Sequence, residues 1–144
     1  TDVPAYQRFG EGVVEEADRI NSRFERQVGS EGSPAIRLVG TQQDWNSLEL
    51  LYQAADLCLV TSLHDGMNLV AKEYVASQVD AQGVLLLSRF TGAARELKDA
   101  VLLNPYWPDQ IAEAIREAVE MPAREVQRRG CPAYAGITMS GHHS

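Results

Sequence analysis

Short apolar runs alternate along the chain with segments in which apolar residues recur every three or four positions. The apolar runs cover residues 35–39, 56–61, 84–88 and 100–104. The run at 84–88 has no polar alternation, which is typical of a parallel strand covered on both faces. Strands that alternate with helices indicate βαβ units with right-handed crossovers. The pattern therefore predicts an α/β fold with a parallel sheet and flanking helices.

The intervening segments predict helices that pack one face and expose the other. They cover residues 6–27, a stretch with apolar positions between 48 and 55, residues 67–78, 93–97 and 109–121, and a further helix that starts at Pro122. Either Asp44 or Asn46 is expected to cap the second helix. Residues 130–144 have no helical or strand period and are rich in glycine and serine. We therefore predict one domain at 1–129, which begins as a fragment at Thr1, and a disordered or non-native tail at 130–144.

The most informative stretch lies at residues 64–76, which read H-D-G-M-N-L-V-A-K-E-Y-V-A directly after an apolar run. Gly66 allows the backbone to turn tightly, and the N–H groups that follow open a helix with the positive end of its dipole exposed. This geometry binds phosphate without basic side chains. Glu73 lies one turn along the face that begins at Leu69, where a carboxylate can accept hydrogen bonds from the vicinal hydroxyls of a ribose.

On spacing alone, a structural role explains the same residues equally well. Asp65 is then a helix cap, and Lys72 and Glu73 form a solvated pair. If the site is functional, Asp65 suits sugar hydroxyls, because its carboxylate would repel a phosphate. A second turn places Gly92 at a helix start on the same sheet edge, where close packing between helix and strand is the simpler explanation. His64 has no identifiable catalytic partner, and a solvated loop histidine is the simpler interpretation.

Composition and missing motifs exclude several classes of function. A formal net charge of −7 and a pI near 4.9 give no electrostatic reason to expect nucleic acid or an anionic membrane as a partner. No apolar stretch approaches the roughly 20 residues that span a bilayer, and a cytoplasmic location is the default expectation. The sequence lacks the G-x-S-x-G, Walker, G-x-G-x-x-G and H-E-x-x-H motifs, so the common hydrolase, P-loop and dinucleotide-oxidoreductase readings lose their main support.

The run V-T-S-L-H-D-G-M-N-L-V-A-K-E-Y-V-A at residues 60–76 closely resembles the donor-site motif of the trehalose-6-phosphate synthases. These are retaining glycosyltransferases of family 20 that join UDP-glucose to glucose 6-phosphate. The resemblance covers residues 2–129 and includes further matches at Tyr6-Gln7, residues 19–21, Tyr52, Ala55-Asp56, residues 83–94, Glu96-Leu97 and residues 104–106.

The resemblance implies the second, donor-binding Rossmann-like domain of a two-domain GT-B enzyme, with UDP-glucose as the donor substrate and no metal. In the family, the segment that matches Leu69, Val70, Ala71, Lys72 and Glu73 contacts UDP, with the glutamate on the ribose. The positions that match Asp65, Gly66, Met67 and Asn68 face the transferred glucose. Gln43 matches a position near the uracil that is often aromatic.

The departures from the family pattern limit what this chain is expected to do alone. The resemblance implies that the cations that neutralise the leaving diphosphate precede the region of Thr1 and that the first domain lies outside the residues matched here. His64 replaces a frequent arginine. We expect no glucosyl transfer without a first GT-B domain in trans. Two alternatives stay open: a related synthase with another acceptor, such as a glucosylglycerol-phosphate synthase, or a truncated non-catalytic remnant that binds a nucleotide sugar. An uncovered cleft surface makes a homo-oligomer a further hypothesis.

Overall fold

The computed structural model describes residues 3–29, 31–40, 43–78 and 83–122. The chain divides into two compact units, Thr1–Gln43 and Asp44–Ser144. The predicted tail lies outside the described residues, and so does the helix predicted from Pro122, apart from its first residue. The predicted boundary at residue 129 therefore stays a prediction. None of the helices in the described part of the chain is both long and apolar enough to cross a membrane.

The first unit contains one long helix, α1, at Val3–Val28. Its predicted span is confirmed, and it ends where the sequence provides a stop. Gly29 adopts a φ of 88°, and its N–H donates to the Glu25 carbonyl at 2.8 Å. A left-handed glycine after the last helical turn satisfies a carbonyl that would otherwise lack a partner.

The predicted strand at 35–39 is wrong, because this segment belongs to no sheet among the described residues. Its backbone is paired by a side chain instead. The amide of Asn21 accepts from the Ile36 N–H at 2.7 Å and donates to the Ile36 carbonyl at 2.8 Å. A side-chain amide thus takes the place of a neighbouring strand. The apolar pattern of a segment does not show whether its backbone pairs with a strand or with a side chain.

The second unit contains a parallel sheet of three strands in the order β1-β2-β3. The strands are β1 at Leu57–Val60, β2 at Val84–Ser88 and β3 at Val101–Leu103. Leu57 pairs with Val84, and Leu86 pairs with Val101. The predicted strands are confirmed here, and β2 matches its predicted span residue for residue.

Helices follow or precede each strand of this sheet. They are α2 at Trp45–Ala54, α3 at Leu69–Ser77, a short 3₁₀ helix at Gly92–Arg95 and α4 at Pro108–Val119. Asp44 rather than Asn46 caps α2, since its side chain accepts from the Ser47 N–H at 2.9 Å. Helix α3 begins two residues later than predicted, because Asn68 forms its cap.

The core lies on both faces of β2, as its uninterrupted apolar sequence predicts. Leu85 and Leu87 pack with Tyr74 and other residues of α2, α3 and the 3₁₀ helix. Val84 and Leu86 point to the opposite face and pack with residues of β3 and α4. Every residue of β2 is buried. The sheet therefore holds the loops at its carboxyl edge on a rigid base.

Candidate functional site

The loop at residues 65–68, named here the glycine loop, follows β1 at the carboxyl edge of the sheet. The Asp65 carboxylate organises it. Its Oδ1 accepts from the N–H groups of Met67 and Asn68, each at 3.1 Å, and its Oδ2 accepts from the Asn68 Nδ2 at 3.1 Å. Asp65 is therefore an Asx-turn residue that also holds the Asn68 side chain, and it uses most of its hydrogen-bonding capacity within the loop itself.

Asn68 connects the glycine loop to α3. It has a left-handed backbone, with φ 66° and ψ 86°, and its Oδ1 accepts from the Ala71 N–H at 2.9 Å. Its Nδ2 also donates to the Ser62 Oγ at 3.2 Å. Asparagine is among the few residues other than glycine that tolerate this conformation. A single buried side chain thus joins the end of β1, the loop and the first turn of α3.

The second turn, after β2, is bonded directly to the glycine loop. Asp65 and Thr91 form a parallel bridge, the Gly92 N–H donates to the Asp65 carbonyl at 2.9 Å, and the Ala93 N–H donates to the Met67 carbonyl at 3.0 Å. A Cβ on Gly92 would lie 1.8 Å from the Gly66 carbonyl oxygen. The predicted close approach is present, but it joins the glycine loop to the start of the 3₁₀ helix rather than a helix to a strand.

The first turn of α3 presents backbone donors beyond this loop. Leu69 and Val70 are each 47% exposed, and their N–H groups stand at helix positions that have no intrahelical acceptor. Ala71 differs, since it is fully buried and its N–H is capped by Asn68. Of these predicted UDP contacts, Leu69 and Val70 have the geometry of an anion site at a helix N-terminus.

Lys72 and Glu73 do not form the solvated pair that the simpler interpretation expects. The Lys72 Nζ lies 2.7 Å from the Glu96 Oε2, and the lysine side chain is only 17% exposed. The Glu73 Oε2 accepts from the Tyr52 hydroxyl at 3.1 Å. Burial, followed by the neighbouring Glu73 charge, raises the pKa of Tyr52. Each side chain is thus directed to a separate partner outside α3.

A cavity of about 550 Å³ opens beside the glycine loop. Its wall contains two arginines that the sequence-based interpretation did not assign to the site. The lining residues are His64, Asp65, Gly66, Arg89, Phe90, Thr91, Gly92, Arg95 and Glu96. The signal that could have revealed the arginines is their position on either side of Gly92, in a turn at the same sheet edge.

His64 lies in this cavity wall and is exposed. Gln43 belongs to the other unit, and its assignment near a uracil stays a prediction.

The parallel sheet with helices on both faces, and a glycine loop that leads from β1 into α3, define the class as a Rossmann-like α/β domain. The chain belongs to glycosyltransferase family 20, whose family model matches residues 1–141. The family consists of enzymes, and the predicted resemblance is confirmed.

Individual relatives agree with this assignment. The chain is 40% identical over 128 residues to an alpha,alpha-trehalose-phosphate synthase [UDP-forming] A of Dictyostelium discoideum, covering 89% of this chain and 17% of the relative. A crystal structure of the UDP-forming synthase from Burkholderia vietnamiensis is 45% identical, with a TM-score of 0.80, and covers 90% of this chain and 29% of that one. A structure from E. coli, bound with UDP-2-fluoro glucose, is 43% identical, with a TM-score of 0.79, and covers 89% and 28%.

These likenesses confirm the predicted fold, a Rossmann-like domain of a GT-B glycosyltransferase. They also establish how much of the relatives the chain represents. It spans 17% of the length of the Dictyostelium relative and less than a third of the two solved structures.

Proposed function

We propose that this chain is the donor-binding part of a UDP-forming trehalose-6-phosphate synthase, which transfers glucose from UDP-glucose to glucose 6-phosphate. The observation that carries the proposal is the start of α3. The N–H groups of Leu69 and Val70 stand open at the carboxyl edge of the sheet, and the Glu73 carboxylate follows one turn later. The likeness to an E. coli structure that holds a UDP-sugar analogue supports the same ligand here.

In this proposal the nucleotide lies along the first turns of α3. The N–H groups of Leu69 and Val70 donate to the diphosphate, and the helix dipole adds to the attraction. Glu73 accepts from the ribose hydroxyls. Ala71 contributes contact rather than a donor, because its N–H is already capped. Lys72 acts mainly through its ion pair with Glu96, which ties α3 to the residue directly after the 3₁₀ helix.

The glucose is proposed to lie against the glycine loop, at Asp65, Gly66, Met67 and Asn68. A carboxylate oxygen has two lone pairs, and the Asp65 Oδ2 accepts a single hydrogen bond within the loop. One lone pair is therefore left for a sugar hydroxyl. Gln43 is proposed to approach the uracil. We also propose that the reaction needs no metal ion and that the protein is cytoplasmic.

Glucosyl transfer is proposed to need a first GT-B domain in trans, since the acceptor site and the cations that stabilise the departing UDP are expected outside this chain. Incubation of the pure chain with UDP-glucose and glucose 6-phosphate should give no trehalose 6-phosphate above background. Product formation by the chain alone would overturn this part of the proposal.

Calorimetric titration with UDP and UDP-glucose tests the binding site itself. The wild-type chain should bind both ligands, and Glu73→Ala should weaken both by about tenfold, because a charged acceptor for two hydroxyls is lost. Glu117→Ala on the exposed face of α4 is the matched control and should bind like the wild type. Failure of the wild type to bind either ligand, or unchanged affinity in Glu73→Ala, would contradict the proposed site.

A further inference from the structure

Tyr52 holds the carboxylate on which the proposed ribose contact depends. It lies in α2, outside the stretch that resembles a donor motif, and its hydroxyl donates to the Glu73 Oε2 at 3.1 Å. Tyr52 is 9% exposed and Glu73 is half-buried, so their hydrogen bond lies partly within the protein. Glu73 keeps part of its surface exposed, and this part is available to a ligand.

The ring of Tyr52 is fixed by contacts that do not involve Glu73. It packs edge-to-face on Tyr74, with ring centroids 6.1 Å apart and an interplanar angle of 78°. The Tyr74 hydroxyl donates to the Ala55 carbonyl at 2.9 Å, and the Gln78 Nε2 donates to the Tyr52 carbonyl at 2.7 Å. These bonds hold α2 against α3, so the hydroxyl reaches Glu73 as a preset donor.

A carboxylate has two oxygens with about two lone pairs each. Recognition of a vicinal diol uses one lone pair on each oxygen, and Tyr52 occupies one lone pair of Oε2. The three hydrogen bonds are therefore compatible. The hydrogen bond from Tyr52 also restricts the rotation of the Glu73 side chain before a ligand binds. The loss of side-chain conformational entropy on binding is therefore smaller.

We propose that Tyr52 is a positioning residue for the recognition of a vicinal diol. Its hydroxyl orients the Glu73 carboxylate so that both oxygens face the 2′- and 3′-hydroxyls of a nucleoside diphosphate. This inference rests on the proposed function of the site. It also predicts an effect that a purely structural tyrosine would not produce. Loss of the Tyr52 hydroxyl should weaken the binding of only those ligands that carry the diol.

The test compares UDP with 2′,3′-dideoxyuridine 5′-diphosphate by calorimetric titration. Tyr52→Phe keeps the ring and its packing, and should weaken UDP binding by about fivefold while leaving the affinity for the dideoxy ligand unchanged. Adding Tyr52→Phe to Glu73→Gln should cause no further loss of UDP affinity. Tyr74→Phe removes the hydroxyl that donates to the Ala55 carbonyl within the same packed pair, and it should leave the preference for the diol unchanged.

The outcomes separate the inference from the proposal beneath it. If the wild type binds UDP and Tyr52→Phe weakens both nucleotides equally, or neither, the positioning role is overturned and the donor site stands. If the wild type binds neither nucleotide, the proposed function fails and this inference fails with it. The thermal unfolding midpoint of each variant is measured as a control, so that affinities are compared only between variants that are folded at the titration temperature.

Discussion

The glycine loop at residues 65–68 and the first turns of α3 at residues 69–73 meet the same proposed ligand in opposite ways. In the loop, polar groups are bound mainly to one another, since Asp65 accepts from Met67 and from both the backbone and the side chain of Asn68. At the helix start, the N–H groups of Leu69 and Val70 have no internal acceptor to displace.

The difference separates two tasks within one short stretch. Groups without an internal partner offer a phosphate an interaction that costs no bond within the protein, so the helix start is suited to affinity. Groups that are already bonded keep a fixed shape, so the loop is suited to the position of a sugar. The two regions also have different weak points: the loop depends on its neighbours, and the helix start depends on its cap.

Gly92 lies outside the glycine loop but packs directly against it. A Cβ at this position would lie 1.8 Å from the Gly66 carbonyl oxygen, a contact with backbone that no side-chain rotation relieves. Gly92→Ala should lower the free energy of unfolding by about 3 kcal/mol, measured by urea denaturation. Gly66→Ala is the matched control, because a Cβ there meets nothing within 4 Å. Equal stability of the two variants would show that the contact between Gly92 and the glycine loop does not constrain the fold.

Asn68 tests the boundary between the loop and the helix. Asn68→Ala removes the cap of α3 and the bonds to Ser62 and Asp65, and it leaves a less tolerant residue at a φ of 66°. The expected loss in the free energy of unfolding is about 2 kcal/mol.

Asn68→Gly separates the two causes, because glycine adopts this backbone freely while it lacks the side-chain bonds. It should cost less than the alanine variant under the same urea denaturation. If both variants match the wild type in stability, the side chain of Asn68 does not hold the helix start in place.

The sequence predicts β2 fully, because an uninterrupted apolar run has one stable environment, a central strand covered on both faces. It fails at residues 35–39, where the composition favours a strand and no partner strand is supplied by local sequence. It also misses the start of α3, because the helical period continues across Asn68 while its left-handed backbone delays the helix.

The candidate site shows the same division. Motif and resemblance select residues 65–73 as one stretch, but only the folded chain adds Arg89, Arg95 and Tyr52 to it. These residues are distant in sequence and reach the site through the bridge between Asp65 and Thr91 and through the packing of α2 on α3. Contacts of this kind depend on tertiary structure. The spacing of residues within one strand and the helix that follows it does not show which distant residues will pack beside them.

Lys72 sharpens the comparison at the helix start, because it is the only cation among the proposed contacts at 69–73. Its ammonium lies 2.7 Å from Glu96, so we expect the diphosphate to be held by backbone N–H groups rather than by this charge. Lys72→Gln should lower the free energy of unfolding by about 1 kcal/mol and change the affinity for UDP by less than about threefold.

The matched variant Glu96→Gln breaks the same ion pair from the other side. It should cause a similar loss of stability, and the double variant should cost less than the sum of the two. Calorimetric titration of both single variants with UDP decides the assignment. A tenfold or greater loss of UDP affinity in Lys72→Gln alone would mean that the ammonium binds the diphosphate directly. The helix start would then owe its affinity to a side chain, and its contrast with the glycine loop would no longer hold.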